Sequence, residues 1–72
     1  MSDDEAAPPI HTRDLIEGLG KGLRVIEAFS EEQPRLTPSQ AAELTGLTRT
    51  AARRYLLSLV HFGYAASDGK LY

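Results

Sequence analysis

Three arginines and a threonine fall within six positions of this 72-residue chain: Arg49, Thr50, Arg53 and Arg54. If the segment is helical, Arg49 and Arg53, four residues apart, stand on one face with Thr50 beside them. Such a face combines guanidinium forks with a short hydroxyl, and it is narrow enough for a groove about 12 Å wide. An Arg fork can donate two hydrogen bonds to O6 and N7 of guanine, and a Thr can meet a base edge or a thymine methyl. Arg54 projects about 100° from Arg53 and suits a backbone phosphate instead. Tyr55 belongs mainly to the core side of the same helix, with a hydroxyl able to reach a nucleic-acid backbone.

Other polar residues are placed for supporting contacts. Thr37, Ser39 and Gln40 stand at the start of a short helix, where free backbone N–H groups attract an anion; Thr37 and Gln40 are also suited to capping, which leaves Ser39 and the backbone for a phosphate. Lys70 follows an Asp68-Gly69 pair and can reach a flanking phosphate or a minor groove. Nothing comparable supports catalysis or metal binding. There is no Cys, so disulfides and thiolate zinc sites are excluded. His11 and His61 have no second ligand at metal spacing, and Asp14, Glu17 and Glu43 have no nucleophile or base partner. The Gly18, Gly20, Gly22 run follows no strand and matches no phosphate-cradling loop. The expectation is a non-enzyme with no cofactor and no metal.

A mostly helical frame positions these residues. Leu19, Leu23 and Ile26 recur at helical spacing and predict a first helix from somewhere within 14–19 to 29 or 30, these three facing inward with Val25 and Phe29 flanking. Its start is indistinct because each of the three glycines costs up to about 1 kcal/mol inside a helix. Leu36 reads as a short extended anchor. Thr37, Pro38 and Gln40 then form a capping box with proline at the first helical position, opening a short helix with Ala41 and Leu44 inward and Gly46 past its end. Only Gly46 and Leu47 separate Thr45 from Thr48, the cap of a third helix running from Arg49 to about Phe62. That helix carries Ala52, Tyr55, Leu56 and Leu59 on one stripe, with Val60 and Phe62 near it. Gly63 closes it. Tyr64–Ser67 is a candidate strand, Asp68-Gly69 a type I′ turn signal, and 70–72 the beginning of a returning strand.

Helix, capped short helix, tight glycine turn, basic helix and hairpin in this order predict a mainly α fold with a small β hairpin, a winged helix-turn-helix. The domain is expected over residues 14–72, truncated in the wing, with an acidic disordered tail at 1–13 that contains Pro8 and Pro9. A chain of 7.9 kDa has room for one domain, burying roughly 60% of its unfolded surface. The formal charge of −2 conceals an uneven distribution. Residues 1–18 set five acidic groups against Arg13 for a net −4, and residues 19–72 set seven basic groups against five acidic for a net +2. The acidic start lacks the basic and apolar regions of a leader peptide, and no apolar run approaches a spanning length. The expected location is the cytoplasm.

The runs Lys21-Gly-Leu-Arg-Val-Ile-Glu-Ala-Phe29, Arg35 through Tyr64, and Asp68-Gly-Lys-Leu-Tyr72 resemble the N-terminal domain of the IclR family of bacterial transcription regulators. Ala51-Ala-Arg-Arg-Tyr55 and Val60-His-Phe-Gly-Tyr64 look most like its branch controlling protocatechuate, 4-hydroxybenzoate and β-ketoadipate catabolism. The resemblance implies a longer protein whose linker helix and C-terminal effector domain are absent here, assembled as a homodimer or tetramer on palindromic double-stranded operators as repressor or activator, and sensing a small aromatic or organic acid through that absent domain. It places Gln40 and Ala41 in the support helix, and Thr48, Arg49, Thr50, Arg53 and Arg54 on the recognition helix and its start. It also implies association with the bacterial nucleoid when bound to DNA. The expected function is sequence-specific duplex DNA binding. The alternatives are a winged-helix module contacting protein or RNA, and a structural subdomain of a larger enzyme.

Overall fold

The computed structural model describes residues 12–72. Residues 1–11, most of the expected acidic tail, lie outside the described residues. Thr12–Asp14 form a single 3₁₀ turn, followed by three helices: α1 (Glu17–Ala28), α2 (Pro38–Thr45) and α3 (Arg49–His61).

Each helix boundary has a local cause. Ile16 precedes α1 and contributes no side-chain cap, so this start carries no sequence signature. Both arms of the capping box open α2: the Gln40 N–H donates to Thr37 Oγ1 at 3.2 Å, and the Thr37 N–H donates to Gln40 Oε1 at 2.9 Å. Gly46 ends α2 in the left-handed region, at φ 77° and ψ 7°, a conformation costly for any residue with a β-carbon. Thr48 then caps α3 by accepting from the Ala51 N–H at 3.1 Å. At the far end of α3 the Tyr64 N–H donates to Leu59 O at 2.8 Å and the Gly63 N–H to Val60 O at 3.1 Å. This pair of bonds is the Schellman motif, with Gly63 at φ 87° as its left-handed residue.

The core is small: Val25, Leu36, Ala41, Ala52, Leu56 and Tyr72 are buried, with Ala28, Phe29, Ala42, Leu47, Tyr55, Leu59 and Val60 packed around them. On α3 the expected stripe of Ala52, Tyr55, Leu56 and Leu59 faces inward; Phe62, expected near it, is exposed. On α2 Ala41 is buried, but Leu44 is 55% exposed and Ala42 packs inward in its place.

The expected inward face of α1 is corrected. Leu19, Leu23 and Ile26 are 61%, 49% and 44% exposed, whereas Val25 is fully buried. The inward side runs through Gly18, Gly22 and Val25 to Phe29, because the Tyr55 ring lies over the two glycines. A β-carbon at Gly18 would stand 3.4 Å from the Tyr55 hydroxyl oxygen, and one at Gly22 3.6 Å from its Cδ1. Small residues permit that approach; leucines there would hold the helices apart.

The small β hairpin is likewise absent among the described residues, which contain three α-helices and no strand. What forms instead is a single antiparallel pair, in which Leu36 and Tyr72 exchange both backbone hydrogen bonds, at 3.0 and 2.9 Å. Leu36 is the extended anchor expected of it. The turn at 68–71 is not type I′, since only Gly69 in it has positive φ, 104°. The Asp68 N–H donates to Leu71 O, but the Leu71 N–H goes to the Asp68 carboxylate at 3.0 Å, as does the Lys70 N–H. An Asx turn has thus taken a donor that the first hairpin rung would use.

Candidate nucleic-acid interface

α3 presents its cationic side because its other side is committed to the core. With Ala52 and Leu56 buried and Tyr55, Leu59 and Val60 half-covered, Arg49, Thr50, Arg53, Arg54, Leu57, Ser58 and His61 are left exposed. At about 100° per residue, Arg49 and Arg53 lie along one edge of this exposed face, Thr50 and Leu57 near its middle, and Arg54 toward the opposite edge. The helix is held at both ends, by Thr48 and by the Schellman motif, and along its length by α2, so the face is rigidly mounted.

Arg49 occupies the first turn of α3, which contains no acidic residue. There the helix dipole and unpaired N–H groups favour an anion, so a guanidinium costs a few tenths of a kcal/mol until an anion arrives. Departures of this kind from local preference concentrate where a surface is built for a ligand.

The expected supporting residues differ in availability. Ser39 is exposed at the N-terminus of α2. Gln40 is half-buried and its side-chain oxygen is occupied by the capping box, as the Thr48 hydroxyl is by the α3 cap. Tyr55 turns its ring onto α1 rather than outward along Arg53. Lys70 is exposed in the 68–71 turn, and its own N–H helps hold the Asp68 carboxylate. That carboxylate sits below its ordinary titration range, chiefly because it accepts from the Leu71 and Lys70 amides, with a smaller contribution from the Arg35 charge.

A feature that residue spacing did not reveal is an open groove on the Arg54 edge, lined by Lys21, Leu47, Ala51, Arg54, Tyr55 and Ser58. It joins α1 to α3, and the signal for it was the i, i+4 pair Gly18 and Gly22, whose partner is Tyr55. Among the described residues no group of His, Cys, Asp or Glu is placed to hold a metal ion, and no helix is long and apolar enough to cross a membrane.

Comparison with known proteins follows the same geometry. The chain is 46% identical over 68 residues to the p-hydroxybenzoate hydroxylase transcriptional activator of Acinetobacter baylyi, covering 94% of this chain and 25% of that protein. It is 45% identical over 60 residues to the Pca operon regulatory protein of the same organism, covering 83% of this chain and 22% of that protein. The Pca regulon regulatory protein of Pseudomonas putida is 44% identical over 59 residues, with 82% of this chain and 20% of that protein covered. A crystal structure assigned to a transcriptional regulator of Rhodococcus sp. RHA1 superposes with a TM-score of 0.76 at 46% identity, over 79% of this chain and 23% of that one. The chain thus spans about a quarter of the length of the curated relatives it matches. Residues 18–69, from the glycines under Tyr55 to the turn at Gly69, match the IclR helix-turn-helix domain, and the chain belongs to that family.

Proposed function

We propose that this chain is the duplex-DNA-reading module of a transcriptional regulator, with α3 entering the major groove. The observation that carries the reading is the placement of Arg49, Thr50 and Arg53 on the exposed side of a helix fixed at both ends, beside the capped α2 and the left-handed Gly46 turn. Arg49 and Arg53 contact base edges, with Thr50 beside them and Thr48 at the helix start. Arg54 and the Tyr55 hydroxyl meet a backbone phosphate; Ser39 and Gln40 at the start of α2 meet another, Gln40 through its side-chain Nε2, since its backbone N–H and Oε1 serve the capping box. Lys70 reaches a flanking phosphate from the wing, which the Leu36–Tyr72 pair ties to the segment before α2.

Similarity to the activator and regulators named above supports a role in controlling aromatic-acid catabolism genes, in the cytoplasm and on the nucleoid. Operation as a homodimer or tetramer on a palindromic operator, with a small aromatic or organic acid bound by a C-terminal domain outside this chain, completes the proposal. No enzymatic role is proposed, since the relatives are regulators.

Fluorescence anisotropy with random duplex, random single-stranded DNA and single-stranded RNA tests the reading. Duplex binding that weakens steeply with salt and falls on Arg54→Ala is expected. Preference for single strands, or binding unmoved by Arg54→Ala, would favour an RNA or protein module instead.

A further inference from the structure

Two cations from different helices, Lys21 of α1 and Arg54 of α3, line one open groove, and no carboxylate lines it with them. Both side chains are exposed, so neither is needed for the core. The groove exists because Gly18 and Gly22 let the Tyr55 ring lie against α1. That close approach brings Lys21, one residue before Gly22, to the flank of α3 on which Arg54 stands. Two like charges facing a shared groove repel, and the rest of the groove lining carries no negative charge: Ala51 and Leu47 are apolar, and the Ser58 hydroxyl donates to Arg54 O at 2.8 Å, while Glu17, four residues before Lys21 on α1, is not among the lining residues. An anion between the two ammonium and guanidinium groups reverses the sign of that interaction.

We propose that Lys21 and Arg54 together clamp a single backbone phosphate of duplex DNA, making α1 a DNA-contacting element and Lys21 a contact residue. The inference rests on the reading of α3 as the groove-entering helix and extends it to a residue outside the helix-turn-helix pair. The Tyr55 ring forms the groove's inner wall, and its spacing from the glycines sets how closely the two cations approach.

The test is anisotropy of a random duplex across a salt series, with wild type, Lys21→Ala, Arg54→Ala, the double variant, Lys21→Arg and, in parallel, Arg53→Ala. Lys21→Ala is expected to weaken binding about three- to tenfold at low salt irrespective of sequence, while Lys21→Arg retains it. If one phosphate is shared, the double variant lowers the salt slope by about one unit, whereas two separate phosphates lower it by about two. A Lys21→Ala variant that binds like wild type, or slopes that add to two, would overturn the shared clamp. If Arg54→Ala loses binding while Lys21→Ala does not, only the clamp fails; if neither loses it, the reading of α3 fails with it, and Arg53→Ala, which removes a base contact, is the control expected to keep random-duplex affinity. Inorganic phosphate followed by amide chemical shifts separates duplex from a small ligand. No saturable shift at Lys21, Ala51 and Arg54 is expected below millimolar concentration. Saturation in the micromolar range, lost in Lys21→Ala, would assign the groove to a small phosphorylated molecule and overturn the proposal.

Discussion

Arg49 carries opposite consequences for folding and for binding. Its guanidinium in the first turn of α3 opposes the helix dipole, so Arg49→Ala is expected to leave the melting temperature unchanged or raise stability by a few tenths of a kcal/mol. The same substitution removes a fork able to read guanine, and should cost about 1–3 kcal/mol of discrimination at one base position. Arg53→Ala should behave alike at a second position. Arg54→Ala is expected to weaken all duplexes nearly equally and flatten the salt dependence, the full loss of about one unit requiring removal of Lys21 as well. Parallel titrations of a preferred and a scrambled duplex check these roles, and equal losses on both for all three variants would contradict them.

The faces of the helices set what each element contributes to stability. Leu56 is fully buried between them, so Leu56→Ala should cost about 2–5 kcal/mol, enough to unfold a domain this small. Leu19→Ala on the exposed side of α1 should cost within about 0.5 kcal/mol. Thr37→Ala, which removes one arm of the capping box, should cost about 0.5–2 kcal/mol. Gly20, with nothing within 4 Å of a β-carbon placed on it, should gain about 0.5–1 kcal/mol on substitution by Ala, while Gly22→Leu drives into the Tyr55 ring and destabilises. Thermal melts followed by circular dichroism rank all five. These contrasts also mark how far the sequence could be read. The boundaries of α2 and the start of α3 were legible because Thr37, Pro38, Gln40, Gly46 and Thr48 act within a turn of their own positions. The inward face of α1 was not, because it is chosen by Tyr55, distant along the chain, and a glycine awaiting a ring looks the same in sequence as a helix defect. The wing turn was misread for a related reason. An Asp-Gly pair serves equally as a type I′ turn or as an Asx turn, and the Asp68 carboxylate chose the second by taking the Leu71 and Lys70 amides.

At the scale of the whole molecule, the +2 balance of residues 19–72, with three of its seven cations on α3, predicts binding that weakens strongly with ionic strength. A single module of this size has about 600–1,000 Å² of DNA contact, so weak binding to random duplex, with Kd of about 10⁻⁴–10⁻⁶ M at physiological salt, is expected. Tethering two copies should raise the apparent affinity by about 10²–10⁴ on a palindromic site with half-sites about one helical turn apart. The Asp68 turn adds a pH dependence of definite sign. Its carboxylate is held below the ordinary range by backbone donors, so its contribution is complete above the unfolded pKa of about 3.9 and is lost as pH falls through the lower folded value. Asp68→Asn should flatten the acid limb of a stability-versus-pH profile and lower neutral stability by the charge-dependent contribution that the wild type loses in acid; an unaltered acid limb would show that the turn is not linked to folding.

The central claim is that the exposed side of α3 reads base sequence in duplex DNA through Arg49, Thr50 and Arg53, and selection from a randomised duplex pool at low salt tests it most directly. Wild type should enrich a short motif containing guanine at one or two fixed positions, Arg53→Ala should lose preference at one of them while keeping the rest, and Arg54→Ala should enrich the same motif with lower yield. Enrichment of no motif by wild type, or of an identical motif by Arg53→Ala at equal yield, would contradict the account.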